Sequence, residues 1–177
     1  GISQPTAKAW LSVLETTYIV FRLPPLHANL RKRLVKMPKL HFYDTGLACW
    51  LLGIRNTAQL DVHPLRGAIF ESWVVSEIIK QRYNRGESNG VYFFRDRSGL
   101  ESDVLVQGRK TLNLVEVKAG QTISSDWAAN SRKIMEMFAM TKQGVSCVVV
   151  YGGTQRQERN GVTYLPWHAI QDYSWEE

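Results

Sequence analysis

The stretch Glu101-Ser102-Asp103-Val104-Leu105-Val106-Gln107-Gly108-Arg109-Lys110-Thr111-Leu112-Asn113-Leu114-Val115-Glu116-Val117-Lys118 decides how this chain reads. Two runs rich in Val and Leu flank Gly108-Arg109-Lys110, a loop of hairpin length, and so predict two antiparallel strands. Side chains alternate along a strand, which puts Leu112, Leu114, Glu116 and Lys118 on one face and Asn113, Val115 and Val117 on the other. Hairpin pairing sets Asp103, at the start of the first strand, beside Glu116 and Lys118 near the end of the second. Two carboxylates and an ammonium inside a sheet are costly unless they pair or hold a metal. A Glu-x-Lys on its own reads as a solvated ion pair. Asp103 across the hairpin turns it into a candidate metal site.

Working outward, Leu65 to Tyr83 carries the clearest helical period. Glu71, Val74, Val75 and Ile78 follow the i, i+3, i+4, i+7 rule, with Phe70 and Ile79 beside that stripe. A lone carboxylate there reads as a structural acceptor. Next to the hairpin acids, Glu71 becomes an outer metal ligand or a support for the ligands. Further strands are predicted at Val91 to Arg95, Val145 to Tyr151 and Val162 to Leu165. A helix is expected from Asp126 to Thr141, with Trp127, Ile134, Met137 and Phe138 apolar, and a short one after Pro166. This alternation predicts an α/β domain with a mixed sheet flanked by helices.

Toward the N-terminus, Ser3-Gln4-Pro5-Thr6 opens a helix over Thr6 to Glu15, with Ala7, Trp10, Leu11 and Leu14 on one face. Tyr18 to Leu23 reads as a strand closed by Pro24-Pro25. Lys39 to Gly46 gives a short strand and turn, Leu47 to Leu52 a helix, and Arg55 to Pro64 a loop. A helix, a strand and a basic loop match the second half of a winged helix, with Gly1-Ile2-Ser3 as the turn and the first helix as the recognition helix. The chain opens on Gly1 without an initiator methionine, which reads as a fragment of a longer protein.

Composition narrows the class. The 177 residues suffice for one core or for a domain plus a partial one, and 44% hydrophobic with 21% charged residues is ordinary for a globular chain. No run of about 18 apolar residues is present, so no membrane span is expected. Cys49 and Cys147 lie in apolar segments, as reduced core thiols of a cytoplasmic protein would. The four histidines lack metal-ligand spacing, which argues against zinc. Residues 1–39 hold seven basic residues and only Glu15, and so carry the whole net charge of +6. Arg22, Arg31, Lys32, Arg33 and Lys36 are the candidate contacts to a polyanion, DNA above all. The plainer reading is a solvated basic surface.

The acid-and-lysine set suits one chemistry. Mg²⁺ or Mn²⁺ takes hard oxygen ligands, here Asp103 and Glu116 with Glu71 further out. Such an ion stabilises charge on a scissile phosphate and acidifies a bound water. Lys118 can orient or deprotonate that water. Asp103, then Glu116-Val117-Lys118 thirteen positions later, after a helix bearing Glu71, resembles the PD-(D/E)xK nuclease superfamily.

Residues 39 to 150 more closely resemble the uncharacterised nuclease-like domain at the C-terminus of certain prokaryotic AAA+-type ATPases. The likeness rests on Pro38-Lys39-Leu40-His41-Phe42-Tyr43-Asp44-Thr45-Gly46, Arg66-Gly67-Ala68-Ile69-Phe70-Glu71, Glu101-Ser102-Asp103 and Val115-Glu116-Val117-Lys118-Ala119-Gly120. It implies a restriction-endonuclease-like fold over 39–177, a partial winged helix over 1–38, and an N-terminal ATPase that binds ATP outside this chain. No Gly-x-x-x-x-Gly-Lys-Ser/Thr loop occurs here. The expected activity is Mg- or Mn-dependent hydrolysis of DNA. The alternatives are a silent nuclease fold that docks DNA or a protein for the ATPase, and an oligomerising tail suggested by Trp10, Trp50 and Trp73.

Overall fold

Ser3 caps the first helix, its side chain accepting the N–H of Thr6, and Pro5 occupies the first turn, where a missing N–H costs nothing. This helix is α1, Gln4–Thr16. The structure, a computed structural model, describes residues 1–26, 37–138 and 144–175. β1 (Val20–Leu23) pairs antiparallel with β2 (Lys39–Phe42), Val20 opposite Phe42 and Leu23 opposite Lys39. α2 (Thr45–Leu51), α3 (Thr57–Asp61) and α4 (Arg66–Asn84) follow. The expected loop from Arg55 to Pro64 thus contains a short helix. Asn56 makes it, because its side chain accepts the Gln59 N–H as an N-cap.

The main sheet has six strands: β3 (Val91–Arg95), β4 (Glu101–Gln107), β5 (Thr111–Lys118), β6 (Gly144–Tyr151), β7 (Gln157–Arg159) and β8 (Val162–Pro166). Their spatial order is β3-β4-β5-β6-β8-β7. β3, β4 and β5 are antiparallel, β5-β6-β8 run parallel, and β7 closes the edge antiparallel to β8. The fold is therefore α/β, a mixed sheet flanked by helices. β7 was not among the expected strands. Its Gln-Glu-Arg has no strand period, but Asn160-Gly161 turns the chain with φ of 50° and 72°, and that forces the pairing.

A 3-10 turn, Ser125–Ala128, capped by Ser124, runs into α5 (Ala129–Phe138) between β5 and β6. The expected extension to Thr141 lies outside the described residues. A second 3-10 turn, Trp167–Asp172, follows Pro166.

Helices cover both faces. α4 packs Val74, Val75 and Ile78 with Val104, Val106, Val115, Val148 and Val150, while α5 packs Ile134 and Phe138 with Leu105, Leu112 and Leu114. Each such burial contributes about 1.5–3 kcal/mol. β1 joins the first of these clusters through Phe21 and Leu23, and Pro25 bridges to Phe93. The β1–β2 ribbon therefore ties together residues on both sides of position 38.

α1 differs. None of its residues is buried among the described residues, and Trp10 is 58% exposed. Its tie to the ribbon is the Glu15–Arg22 ion pair at 2.5 Å. No helix among the described residues is long and apolar enough to cross a membrane.

Candidate functional site

The β4–β5 hairpin brings the acids together. Its ladder runs to Val104 opposite Val115, which sets Asp103 at the point where regular pairing stops. There the Asp103 Oδ2 accepts the Val117 N–H at 2.8 Å and takes the place of a ladder bond. The turn before β4 is held in the same way: Asp96 Oδ1 accepts from Ser98 and Leu100, and Gly99 takes a φ of 87° that suits glycine. Backbone and side-chain hydrogen bonds thus fix where Asp103 stands.

Lys118 Nζ lies 3.3 Å from Glu116 Oε2 and 3.9 Å from Asp103 Oδ2. Glu116 is only 4% exposed, and its Oε1 accepts the Ser131 hydroxyl of α5 at 2.7 Å. Burial, and then the Asp103 charge, push the Glu116 carboxyl up to about 7, against the pull of Ser131 and Lys118. Asp103 is also held above the usual carboxylate range, first by burial and then by Glu71, although Lys118, the Val117 N–H and Lys39 oppose the shift. A buried and a half-buried carboxyl share one ammonium, and both resist ionisation.

Glu71 stands in a second group. Its Oε1 accepts Lys39 Nζ at 2.9 Å, and the same ammonium lies 2.7 Å from Glu101 Oε1. Arg95 adds a longer pair to Glu101, at 3.5 Å. Burial alone lowers the Lys39 pKa, but the charges of Glu71, Glu101 and Asp103 outweigh it and raise the net value. Glu71 therefore reaches Asp103 through its field. Its hydrogen bond goes to Lys39.

Lys39, Glu101 and Ser131 are the site residues that sequence reasoning missed. Glu101 had a signal, lying two positions before Asp103 on one strand. Ser131 had another, a hydroxyl three positions before Ile134 on the apolar stripe of α5. Lys39 had none, because only tertiary packing carries β2 to α4. Nearby, buried His41 pairs its Nδ1 with Ser72 Oγ at 3.0 Å and stacks on Phe21.

Of the basic residues expected to meet DNA, Arg22 is gripped by both oxygens of Glu15, at 2.5 and 2.6 Å. Arg31, Lys32, Arg33 and Lys36 lie outside the described residues. Cys147 is buried and Cys49 half-buried, both as free thiols.

The donor set can be weighed against a divalent cation. Among the described residues, no group of three or more His, Cys, Asp or Glu side chains stands close enough to hold a metal ion. Asp103 and Glu116 remain as a pair, with their negative charge only partly offset by Lys118. Mg²⁺ habitually takes one or two carboxylates and keeps several waters, so a pair of this kind suits it.

A family model described as "Domain of unknown function (DUF4143)" matches residues 66–170, and one described as "Domain of unknown function (DUF8612)" matches residues 1–58. Two uncharacterised proteins, from Mycobacterium bovis and Mycobacterium tuberculosis, are each 32% identical to this chain over 106 residues. That stretch is 60% of this chain and 23% of either relative, so the match spans about a quarter of their length. No solved structure matches the chain.

Proposed function

We propose, for a chain that belongs to the DUF4143 domain family, a nuclease-like module that hydrolyses phosphodiester bonds in DNA with Mg²⁺ or Mn²⁺. The observation that carries this reading is the pair of carboxyls, half-buried Asp103 and buried Glu116, at the ends of adjacent strands and sharing Lys118. Asp103 and Glu116 would hold the ion, with Glu71 acting on Asp103 through charge. When bound, the ion supplies charge for the scissile phosphate and acidifies a water. Lys118 Nζ holds its place between the two carboxyls and can offset negative charge gathering on the phosphate. Ser131 fixes the Glu116 rotamer by donating to Oε1, and the Val117 N–H fixes Asp103. Positioning of this kind is what keeps metal ligands in place.

The wider reading follows the resemblance. The mixed sheet with its two helical faces is compatible with a restriction-endonuclease-like fold. α1 and the β1–β2 ribbon are compatible with the recognition helix and wing of a partial winged helix. The partner that the resemblance implies is an ATPase domain that binds ATP outside this chain.

The test is DNA cleavage with Mg²⁺ or Mn²⁺, comparing wild type with Asp103→Ala and Lys118→Ala. Each variant is expected to lose at least about 100-fold in rate, the scale seen when one electrostatic group is removed from an active site. Equal rates in all three proteins would sink the catalytic assignment.

A second reading has its own support in the concentration of the +6 charge within residues 1–39. The module would then bind DNA without cutting it. Metal-independent binding that weakens steeply with salt is its signature, because phosphate contacts release counterions.

A further inference from the structure

On the α4 face, at the end of the sheet that carries the carboxylates, lies a cleft of about 500 Å³, lined by Arg66, Phe70, Trp73, Ala119, Gly152 and Trp167 among others. Phe70 precedes Glu71 and Ala119 follows Lys118, and consecutive Cα atoms stand about 3.8 Å apart. Lys118 and Tyr151 are register partners, so Ala119 and Gly152 leave the sheet side by side. The Gly152 N–H donates to the Lys118 and Gly120 carbonyls at 3.1 Å each, and a Cβ on Gly152 would come within 2.5 Å of the Ala119 oxygen. Cleft and carboxylates therefore share one end of the sheet.

The walls have a definite chemistry. The Phe70 and Trp73 rings lie 6.0 Å apart at 16°, and Trp167 meets Trp73 edge-on at 5.7 Å and 69°. Trp167 is still 44% exposed, and the other two rings are half-buried. The rings pack on one another and still leave part of their surface open to the cleft. A flat aromatic guest gains most from such walls, whatever its sequence identity. Arg66 adds a cation whose 3.5 Å pair with Asp61 is exposed and easily exchanged for a phosphate.

We infer that this cleft takes an unpaired nucleobase of single-stranded DNA whose neighbouring phosphate lies at Asp103 and Glu116. The inference rests on the phosphodiesterase reading. A base in a duplex is stacked on both faces and enters only after being flipped out, at a cost of about a few kcal/mol, so a single strand is the favoured substrate class. Trp167 is the principal stacking wall, and Arg66 meets the backbone next to the base.

Binding without turnover tests this, in chelator, by the anisotropy of a fluorescein-labelled strand about ten nucleotides long, a usual site size. The comparison is that strand against its blunt duplex, for wild type, Trp167→Ala, Trp167→Phe and Arg66→Met. Wild type is expected to favour the single strand. Trp167→Ala should weaken single-strand binding by about tenfold or more, and Trp167→Phe should keep it near the wild-type value. Arg66→Met should weaken binding and lower its salt slope by about one, which gives a second arm if Trp167→Ala fails to fold.

The inference is overturned if the duplex binds as tightly as the strand, if neither form binds, or if Trp167→Ala matches wild type. Cleavage that survives beside unchanged Trp167→Ala binding removes the cleft assignment alone. Trp167-dependent binding by a protein that never cuts DNA removes the phosphodiesterase reading and leaves the cleft assignment standing.

Discussion

Two trios, each of one lysine and two carboxylates, sit within one charge field, and their differences are instructive. In the first, Lys39 joins Glu71 and Glu101 at 2.9 and 2.7 Å, and all three side chains keep about a quarter of their surface in solvent. In the second, Lys118 stands 3.3 and 3.9 Å from Glu116 and Asp103, and the Glu116 side chain keeps only 5%, against 18% for Asp103 and 32% for Lys118. Shorter contacts and water compensate the first trio, whose attractions offset the cost of partial burial. The second is compensated poorly, since burial raises both carboxyls, Glu71 adds to the cost of ionising Asp103, and Asp103 to that of Glu116. An ion pair that is fully satisfied is structural. One left short of positive charge is where a cation or a proton has something to gain.

The largest test of that contrast exchanges a single oxygen in each trio. Glu116→Gln is expected to lower Mg²⁺-dependent DNA cleavage by at least about 100-fold. Glu101→Gln should leave the rate within a few-fold of wild type. Comparable losses in both variants would mean that the trios act as one site.

A smaller effect concerns pH in the presence of chelator. Glu116 ionises near its ordinary 4.5 in the unfolded chain and near 7 in the folded one. Between those values the folded protein keeps a proton that the unfolded chain has lost. This contribution is full below 4.5 and is lost as pH rises to 7, on the order of 3 kcal/mol. His41 works in the opposite sense. Burial and Lys39 push its imidazole down to about 4, so its contribution is lost as pH falls from 6.5. Urea unfolding of wild type minus Glu116→Gln across this range isolates the carboxyl. A flat difference would remove the claim that Glu116 is strained.

The smallest expected effect is in the first trio. Lys39→Met leaves two half-exposed carboxylates without their shared cation and should cost about 1 kcal/mol in urea unfolding. Cleavage should stay close to wild type. Lost cleavage at unchanged stability would move Lys39 into the catalytic group.

Much of the fold was legible locally. The Val74-Val75-Ile78 stripe reported the buried face of α4, since burial and the 3.6 period are one constraint. The loop Gly108-Arg109-Lys110 between two apolar runs announced the β4–β5 hairpin. The Arg159-Asn160-Gly161-Val162 turn carries an Asn-Gly hairpin signal, but the polar strand before it shows no alternation to mark it as a strand. α1 misled in another way: Trp10 and Leu14 share a face, but periodicity says that a face is apolar without saying what covers it.

The site divides along the same line. By itself the sequence determined the strand alternation that points Glu116 and Lys118 the same way, and the hairpin pairing that sets Asp103 beside them. Both are set by covalent geometry and by partners within a few residues. Only tertiary structure decided that Lys39 of β2 claims Glu71, that Ser131 of α5 holds Glu116, and that Phe70, Trp73 and Trp167 leave a cleft open. Those partners are 32, 15 and up to 97 positions apart, and no local period records which surfaces will meet once the apolar faces are buried.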